Sequence, residues 1–327
     1  MRRKAVERGI PLFTSLDTAN ALANALTSRY SLGNVELVDI NNMRTKHKKL
    51  TFTKMRGTGN DYLYFDCFDQ TVESPESLAV RLSNRRTGVG SDGIVLIMPS
   101  TIADAKMRMF NADGTEGSVA GNALRCVCKY LYENGHVRKD EMAVETGSGV
   151  KTAKLFIRED QVFSVLVDMG CPQFAPAKIP VKLDGDRVMM RPVFLAGEKR
   201  EISCVSMGNP HVVIFVEDVN RIPLEQVGPQ IETDSLFPER VNVSFAQIVD
   251  KNDIVMRVWE RGIGETAACG TGACAVAVAA VENGFCTRGA DIDVRLPGGT
   301  LVVRYQEDGK VWLTGDANTD FTGTIEI

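Results

Sequence analysis

The chain has 327 residues, of which 44% are hydrophobic and 24% charged, and a formal net charge of -4. That length accommodates two domains, and the composition is that of an ordinary globular protein. The acidic balance and the lack of a long Lys/Arg run give no basis for nucleic-acid binding, and no apolar run reaches the roughly 18 residues that a membrane helix needs.

Eight cysteines in a chain this long do not make a disulfide framework. There is no CxxC, and Cys126-Val127-Cys128 has no companion pair for zinc, so no metal site is expected. With only His47, His136 and His211 available, chemistry must rest on thiols, carboxylates, amides or backbone. Glu7 and Arg8 interrupt any leader-like apolar stretch, and the expected location is cytoplasmic.

In chain order, residues 1–49 come first. Arg2 to Leu12 and Thr14 to Leu22 read as helix, short strand, then helix, and Met43 is an alternative start. Lys46-His47-Lys48-Lys49 reads as a solvated linker. Beyond it, runs rich in Val, Ile, Thr and aromatics predict strands at 62–65, 162–168, 188–194, 212–215, 292–296 and 300–305. A helix is predicted over 74–86, with Ser74 as its cap before Pro75 and Glu76. A second covers 122–134, with Leu124, Val127, Tyr130 and Leu131 on its apolar side and Gly135 closing it. The third, 271–283, is almost wholly apolar and closes on Gly284, which predicts burial. The fold class is α+β, with one central helix in each half.

A duplication runs through the chain. Met107-Arg108-Met109-Phe110 matches Met256-Arg257-Val258-Trp259, and Glu116 matches Glu265, each pair 149 positions apart. The same offset carries Ala120-Gly121-Asn122 onto Cys269-Gly270-Thr271, Gly59-Asn60 onto Gly208-Asn209, and Gly93-Ile94 onto Asn242-Val243. Two similar halves follow, 50–190 and 191–327, facing each other across a cleft, with the last strand of the chain a candidate to cross over.

In each half a glycine-containing segment leads directly into a helix. Helix N-termini leave backbone N–H groups unpaired and carry partial positive charge, so they bind carboxylates, and glycine permits close approach. Cys269 heads such a helix, which predicts a thiol pKa lowered toward the ~3.5–7.5 range. Flanking Gly270, Thr271 and Gly272 fill a core poorly, which weighs against an inert buried cysteine; Cys274, Cys67, Cys171, Cys204 and Cys286 read as structural. Two such termini could hold one α-carboxylate with a base on either side of the α-carbon, an arrangement suited to stereoinversion.

Four segments resemble the diaminopimelate epimerases: Lys54-Met55-Arg56-Gly57-Thr58-Gly59-Asn60-Asp61, Phe110-Asn111-Ala112-Asp113-Gly114-Thr115-Glu116, Met207-Gly208-Asn209-Pro210-His211, and Glu260-Arg261-Gly262 with Glu265-Thr266-Ala267-Ala268-Cys269-Gly270-Thr271-Gly272. The likeness runs from about Leu50 to Ile327. It implies two pseudo-symmetric domains, each a sheet wrapped around a central helix, with the site between them. It also implies interconversion of LL- and meso-diaminopimelate without pyridoxal phosphate or metal, in lysine and peptidoglycan-precursor synthesis, by a homodimer whose only other partner is its small-molecule substrate. By position, Cys269 matches one of two acid/base thiols, and Gly121-Asn122 with Gly270-Thr271 the carboxylate cradle. Asn60, Asn111, Asn209, Asn242 and Arg261 match substrate contacts, Glu260 the contact to the reacting amino group, and His211 a supporting side chain. On the residues alone, Asn60 and Asn209 also fit simple turns and Glu260-Arg261 a solvated ion pair; recurrence at one offset favours the site. The segment before residue 50 is similar, over about 43 residues, to the end of the carbamoyl phosphate synthase large chain, too short a match to imply its regulatory site.

One position departs from the family pattern. Where the first thiol belongs, this chain has Ala120, which can neither give nor take a proton. Cys126 lies ~9 Å farther along the predicted helix, on another face, and Cys128 farther still. Loss of one acid/base group costs at least ~10²–10⁴-fold, so the chain is expected to be impaired or inactive. Retention of Asn111, Glu116, Gly121, Asn122 and Arg125 around it favours a substitution in an otherwise active enzyme over drift. The alternatives are another cofactor-independent racemase or isomerase of the same superfold, or a non-catalytic amino-acid-binding protein.

Overall fold

The computed structural model describes Asn20, Ala23 and residues 49–117 and 121–326. Ala120 and, apart from those two residues, the N-terminal segment 1–48 lie outside the described residues, and so do the expectations that fall on them.

Alternating apolar and polar residues build the sheet: Asp291-Ile292-Asp293-Val294-Arg295-Leu296 exposes and buries in strict alternation. The first half runs β1 (Lys49–Gly57), β2 (Asn60–Asp66), α1 (Pro75–Ser83), β3 (Gly93–Met98), β4 (Ala105–Asn111), β5 (Glu116–Gly117), α2 (Gly121–Glu133), β6 (Glu141–Thr146), β7 (Gly149–Arg158) and β8 (Gln161–Asp168). The second runs β9 (Arg191–Leu195), β10 (Glu198–Ser206), β11 (Pro210–Phe215), α3 (Leu224–Glu232), β12 (Asn242–Asp250), β13 (Asp253–Glu260), β14 (Gly264–Thr266), α4 (Gly270–Glu282), β15 (Asp291–Leu296), β16 (Gly299–Tyr305), β17 (Val311–Gly315) and β18 (Asn318–Glu326).

The offset of the sequence repeat is an offset of structure. β1 and β10 begin and end 149 positions apart, as do α1 and α3, and α2 and α4; past α4 one extra residue moves β15 to 150 beyond β6. Register follows the same rule. Tyr62 pairs with Gly93 in parallel β2–β3, and His211 with Asn242 in parallel β11–β12. Each half thus repeats a hairpin, a parallel neighbour, an antiparallel return and a helix laid into the curve of the strands. The result is a two-domain, sheet-dominated α+β fold with few helices.

Each central helix has its own core. In α4, residues 272–280 are all buried, because alanine, glycine and valine let the strands approach on every side. α2 buries Ala123, Leu124, Cys126, Val127, Cys128 and Leu131 against β2, β3 and β6–β8, together with a fully buried Arg125. The chain also ties the halves together. β17 pairs with both β16 and β8, and β18 returns to pair with β1 along nearly its whole length. Ile179, Val181 and Val188 pack with β10–β12.

Two local expectations are revised. Ser74 does not cap α1 with its side chain; its backbone is left-handed (φ 48°), and Pro75 starts the helix. The strand predicted from 188 begins at Arg191, because Met190 turns left-handed (φ 45°), leaving Val188 bonded through its carbonyl to the Cys204 N–H. Among the described residues, no helix is long and apolar enough to cross a membrane.

Candidate active site

Two equivalent turns and two equivalent helix heads converge on one cavity of about 950 Å³. The turn between β1 and β2 passes through Gly59 (φ 89°) and that between β10 and β11 through Gly208 (φ 94°), a backbone region that glycine enters without steric cost. Each turn delivers an asparagine, Asn60 or Asn209, to the cavity wall. The heads of α2 and α4 bring Gly121 with Asn122 and Gly270 with Thr271, and Cys269, the N-cap of α4, lies beside them. Asn111 and Glu260, equivalent ends of β4 and β13, complete the group.

Three predicted residues do not line the cavity. Asn242 spends its amide on structure: its Nδ2 donates to Pro210 O (2.9 Å) and its Oδ1 accepts the Arg261 N–H (2.9 Å). Arg261 is exposed and donates to Glu239 O (2.9 Å). His211 is wholly buried behind Asn209.

A chain of hydrogen bonds leads from each half to its helix head. In the second half His211 Nε2 meets Asn209 Oδ1 (2.9 Å), Asn209 Nδ2 donates to Thr271 Oγ1 (3.2 Å), and Thr271 Oγ1 lies 3.6 Å from Cys269 Sγ. Burial first, and the Arg261 guanidinium second, push the His211 pKa down to about 3, so the ring is neutral at physiological pH. A neutral ring whose Nε2 faces an amide oxygen carries its proton there and acts as a donor.

The expected low thiol pKa is not what Cys269 has. Contacts with Thr271 and the Gly272 N–H favour the thiolate, but burial and the nearby Glu260 carboxylate outweigh them and raise the pKa well above 9.0. The helix terminus supplies partial charges, whereas Glu260 supplies a full one at close range. Burial likewise pushes Glu260 up, opposed by hydrogen bonds from Thr266 Oγ1 (2.5 Å) and the Cys269 thiol. Cys269 is therefore a protonated thiol set against the Glu260 carboxyl group. Cys126 and Cys128 are fully buried in α2, with burial raising their thiols to about 11 and about 12.

Asp92 and Arg85, which belong to no repeated motif, also line the cavity. Asp92 Oδ2 accepts from Asn60 Nδ2 (3.0 Å) and from the Asp61 N–H (3.2 Å), while Asp92 Oδ1 pairs with Arg85 Nη2 (2.8 Å). The residue 149 beyond Asp92 is Val241, so the repeat carries no signal for it.

Comparison with known proteins agrees with this geometry. A family model described as diaminopimelate epimerase matches residues 52–175 and 203–319. Diaminopimelate epimerase of Acetivibrio thermocellus is 48% identical over 279 residues, covering 85% of this chain and 99% of that protein. That of Desulfovibrio desulfuricans is 50% identical over 285 residues, again covering 85% and 99%. Among solved structures, a PhzF-family phenazine biosynthesis protein of Bacillus anthracis has a TM-score of 0.63 at 18% identity, covering 86% of this chain and all of that one. A hydroxyproline epimerase of Agrobacterium vitis has a TM-score of 0.56 at 15% identity, covering 86% and 92%. These two share the fold; the sequence matches go further, and this chain, an isomerase of the epimerase class, belongs to the diaminopimelate epimerase family.

Proposed function

We propose that the cavity binds diaminopimelate and is built to interconvert its LL and meso forms by proton transfer at the α-carbon, without pyridoxal phosphate or metal, in lysine biosynthesis. The observation that carries this reading is the meeting of two equivalent helix heads, Gly121 and Gly270, in one cavity with Cys269 beside the second. Backbone N–H groups at both heads hold the α-carboxylate and accept the charge that develops as the α-proton leaves. Cys269 serves one face of that carbon. As a thiol it donates a proton to that face, and as the thiolate it takes one from it. Glu260, held by Thr266, stands where it can receive the substrate ammonium.

Ala120 leaves the other face without an acid/base group, so turnover in this chain is strongly impaired. Ala120→Cys in the purified protein is expected to raise epimerisation by at least ~10²-fold; no gain would overturn the two-thiol scheme. In deuterium oxide the unsubstituted chain should exchange the α-proton of one stereoisomer only, through Cys269. Equal exchange from both isomers would contradict the one-sided assignment.

A further inference from the structure

The two hydrogen-bond chains that reach the helix heads run with opposite polarity. An ionised carboxylate only accepts, so Asp92 Oδ2 obliges Asn60 to turn its NH₂ group toward it (3.0 Å). Asn60 Oδ1 then faces α2 and accepts from Asn122 Nδ2 at 2.6 Å. That in turn leaves Asn122 Oδ1 as the free end of the chain. The atom is buried and without a hydrogen-bond partner among the described residues, on a side chain that lines the cavity, and it faces the head of α4, where a Cβ on Gly270 would lie 3.7 Å away. In the second half the source is a donor, His211, and the chain ends with Thr271 Oγ1 already accepting from Asn209, so its own proton points onward.

We propose that Asp92 is a positioning residue, which through Asn60 fixes Asn122 with its amide oxygen as an acceptor for an N–H of the bound amino acid. A buried acceptor left unpaired costs free energy, and a ligand ammonium arriving there recovers it. The corresponding chain of the second half ends at its helix head in a hydroxyl donor, so the two heads differ in polarity, and the acceptor of that half, Glu260, stands apart from its head on β13. The site therefore reads the direction of an amino acid, not only its carboxylate. This inference rests on the amino-acid-binding reading above for its ligand, but not for the hydrogen-bond chain itself.

The experiment compares Asp92→Asn with the unsubstituted chain. An asparagine at 92 can offer its own NH₂, which lets Asn60 and Asn122 reverse and present a donor to the cavity. Calorimetry with diaminopimelate should show binding weakened at least tenfold, while pimelate, the same dicarboxylate without amino groups, keeps its affinity. A purely structural lesion would weaken both together, and that result overturns the proposal. Asn122→Leu should give the same selective loss, with Asp92→Asn adding nothing on that background; additive losses would break the link. Side-chain amide resonances give a ligand-free test: Asp92→Asn should shift those of both Asn60 and Asn122, and an unmoved Asn122 pair would overturn the relay. If the unsubstituted chain binds no diaminopimelate, the functional reading fails, and the resonances alone decide the relay.

Discussion

Helices α2 and α4 occupy equivalent places in the two halves, yet Arg125 in one stands where Cys274 stands in the other. Arg125 is fully buried. Its Nε donates to Asp316 O (3.0 Å) at the crossover between β17 and β18, and its Nη2 to Thr58 Oγ1 (2.8 Å) in the turn that carries Asn60. α4 is held by small apolar side chains instead. The same contrast recurs at Tyr62 and His211, and at Ala120 and Cys269. Duplication kept backbone, register and turn glycines, because the curved sheet tolerates little change there. Charge and proton-bearing groups diverged, and the proposed binding of one ligand between two unlike walls gives that divergence a reason.

The largest effect that would sharpen this contrast is acid sensitivity. In the unfolded chain the His211 ring takes up a proton near 6.5, whereas burial in the folded protein delays this to about 3. Between those values the unfolded state binds the extra proton. Folding stability therefore falls as pH falls through this window, by about 1.4 kcal/mol per pH unit for one proton. His211→Gln, which keeps a donor near Nε2 but does not titrate, should remove that component from denaturation measured between pH 6.5 and 4. At the equivalent place Tyr62 has its hydroxyl pKa raised by burial, far above this range, so the first half contributes no such slope. An unchanged slope in the variant would mean that His211 is not the sensor.

Much of this was legible from sequence. The repeat could be read because its polar members, such as Arg108 with Glu116 and Arg257 with Glu265, sit at fixed spacing in paired strands. The bounds of α2 and α4 match to within about a residue, because Gly135 and Gly284 end both with positive φ, whereas the helix expected over 74–86 stops at Ser83 and α3 carried no sequence expectation. Asp92 was not legible, since its contact with Asn60, 32 positions away, depends on β2 and β3 running parallel. Nor was the raised pKa of Cys269. A helix N-terminus is a local feature that sequence displays, whereas Glu260 arrives from β13 only after folding. Asn242 and Arg261 match substrate contacts by resemblance; the bond between the Arg261 N–H and Asn242 Oδ1, outside the cavity wall, is a contact that no sequence spacing displays.

The contrast between a thiol facing a carboxylate and thiols merely buried yields the next test. Glu260→Gln removes a negative charge beside Cys269 and so lowers its pKa, which increases thiolate at fixed pH. Alkylation of Cys269 near pH 8, followed by peptide mass spectrometry, should rise in proportion to its thiolate fraction. Cys126 and Cys128, raised first of all by burial, should not respond. Equal rates for Cys269 in both proteins would assign its high pKa to burial alone.

The smallest effect separates two ion pairs that look interchangeable. Arg108 grips Glu116 with bonds of 2.7 and 2.9 Å, and Arg257 grips Glu265 with bonds of 2.8 and 3.0 Å. Partly exposed pairs of this kind contribute about 0.2–1 kcal/mol. Arg257, however, also donates through Nη1 to Val219 O (3.1 Å) and Ile222 O (2.9 Å), at the short turn before α3, whereas Arg108 lies over the Phe110 ring at 5.0 Å. Removing Arg257 leaves those two carbonyls short of a donor, so Arg257→Ala should cost about 1 kcal/mol more than Arg108→Ala in urea denaturation. Equal losses would mean that water replaces the guanidinium at the turn. The two pairs would then be equivalent in energy as well as in position, and the divergence of the halves would be confined to the cavity wall and the helix interiors.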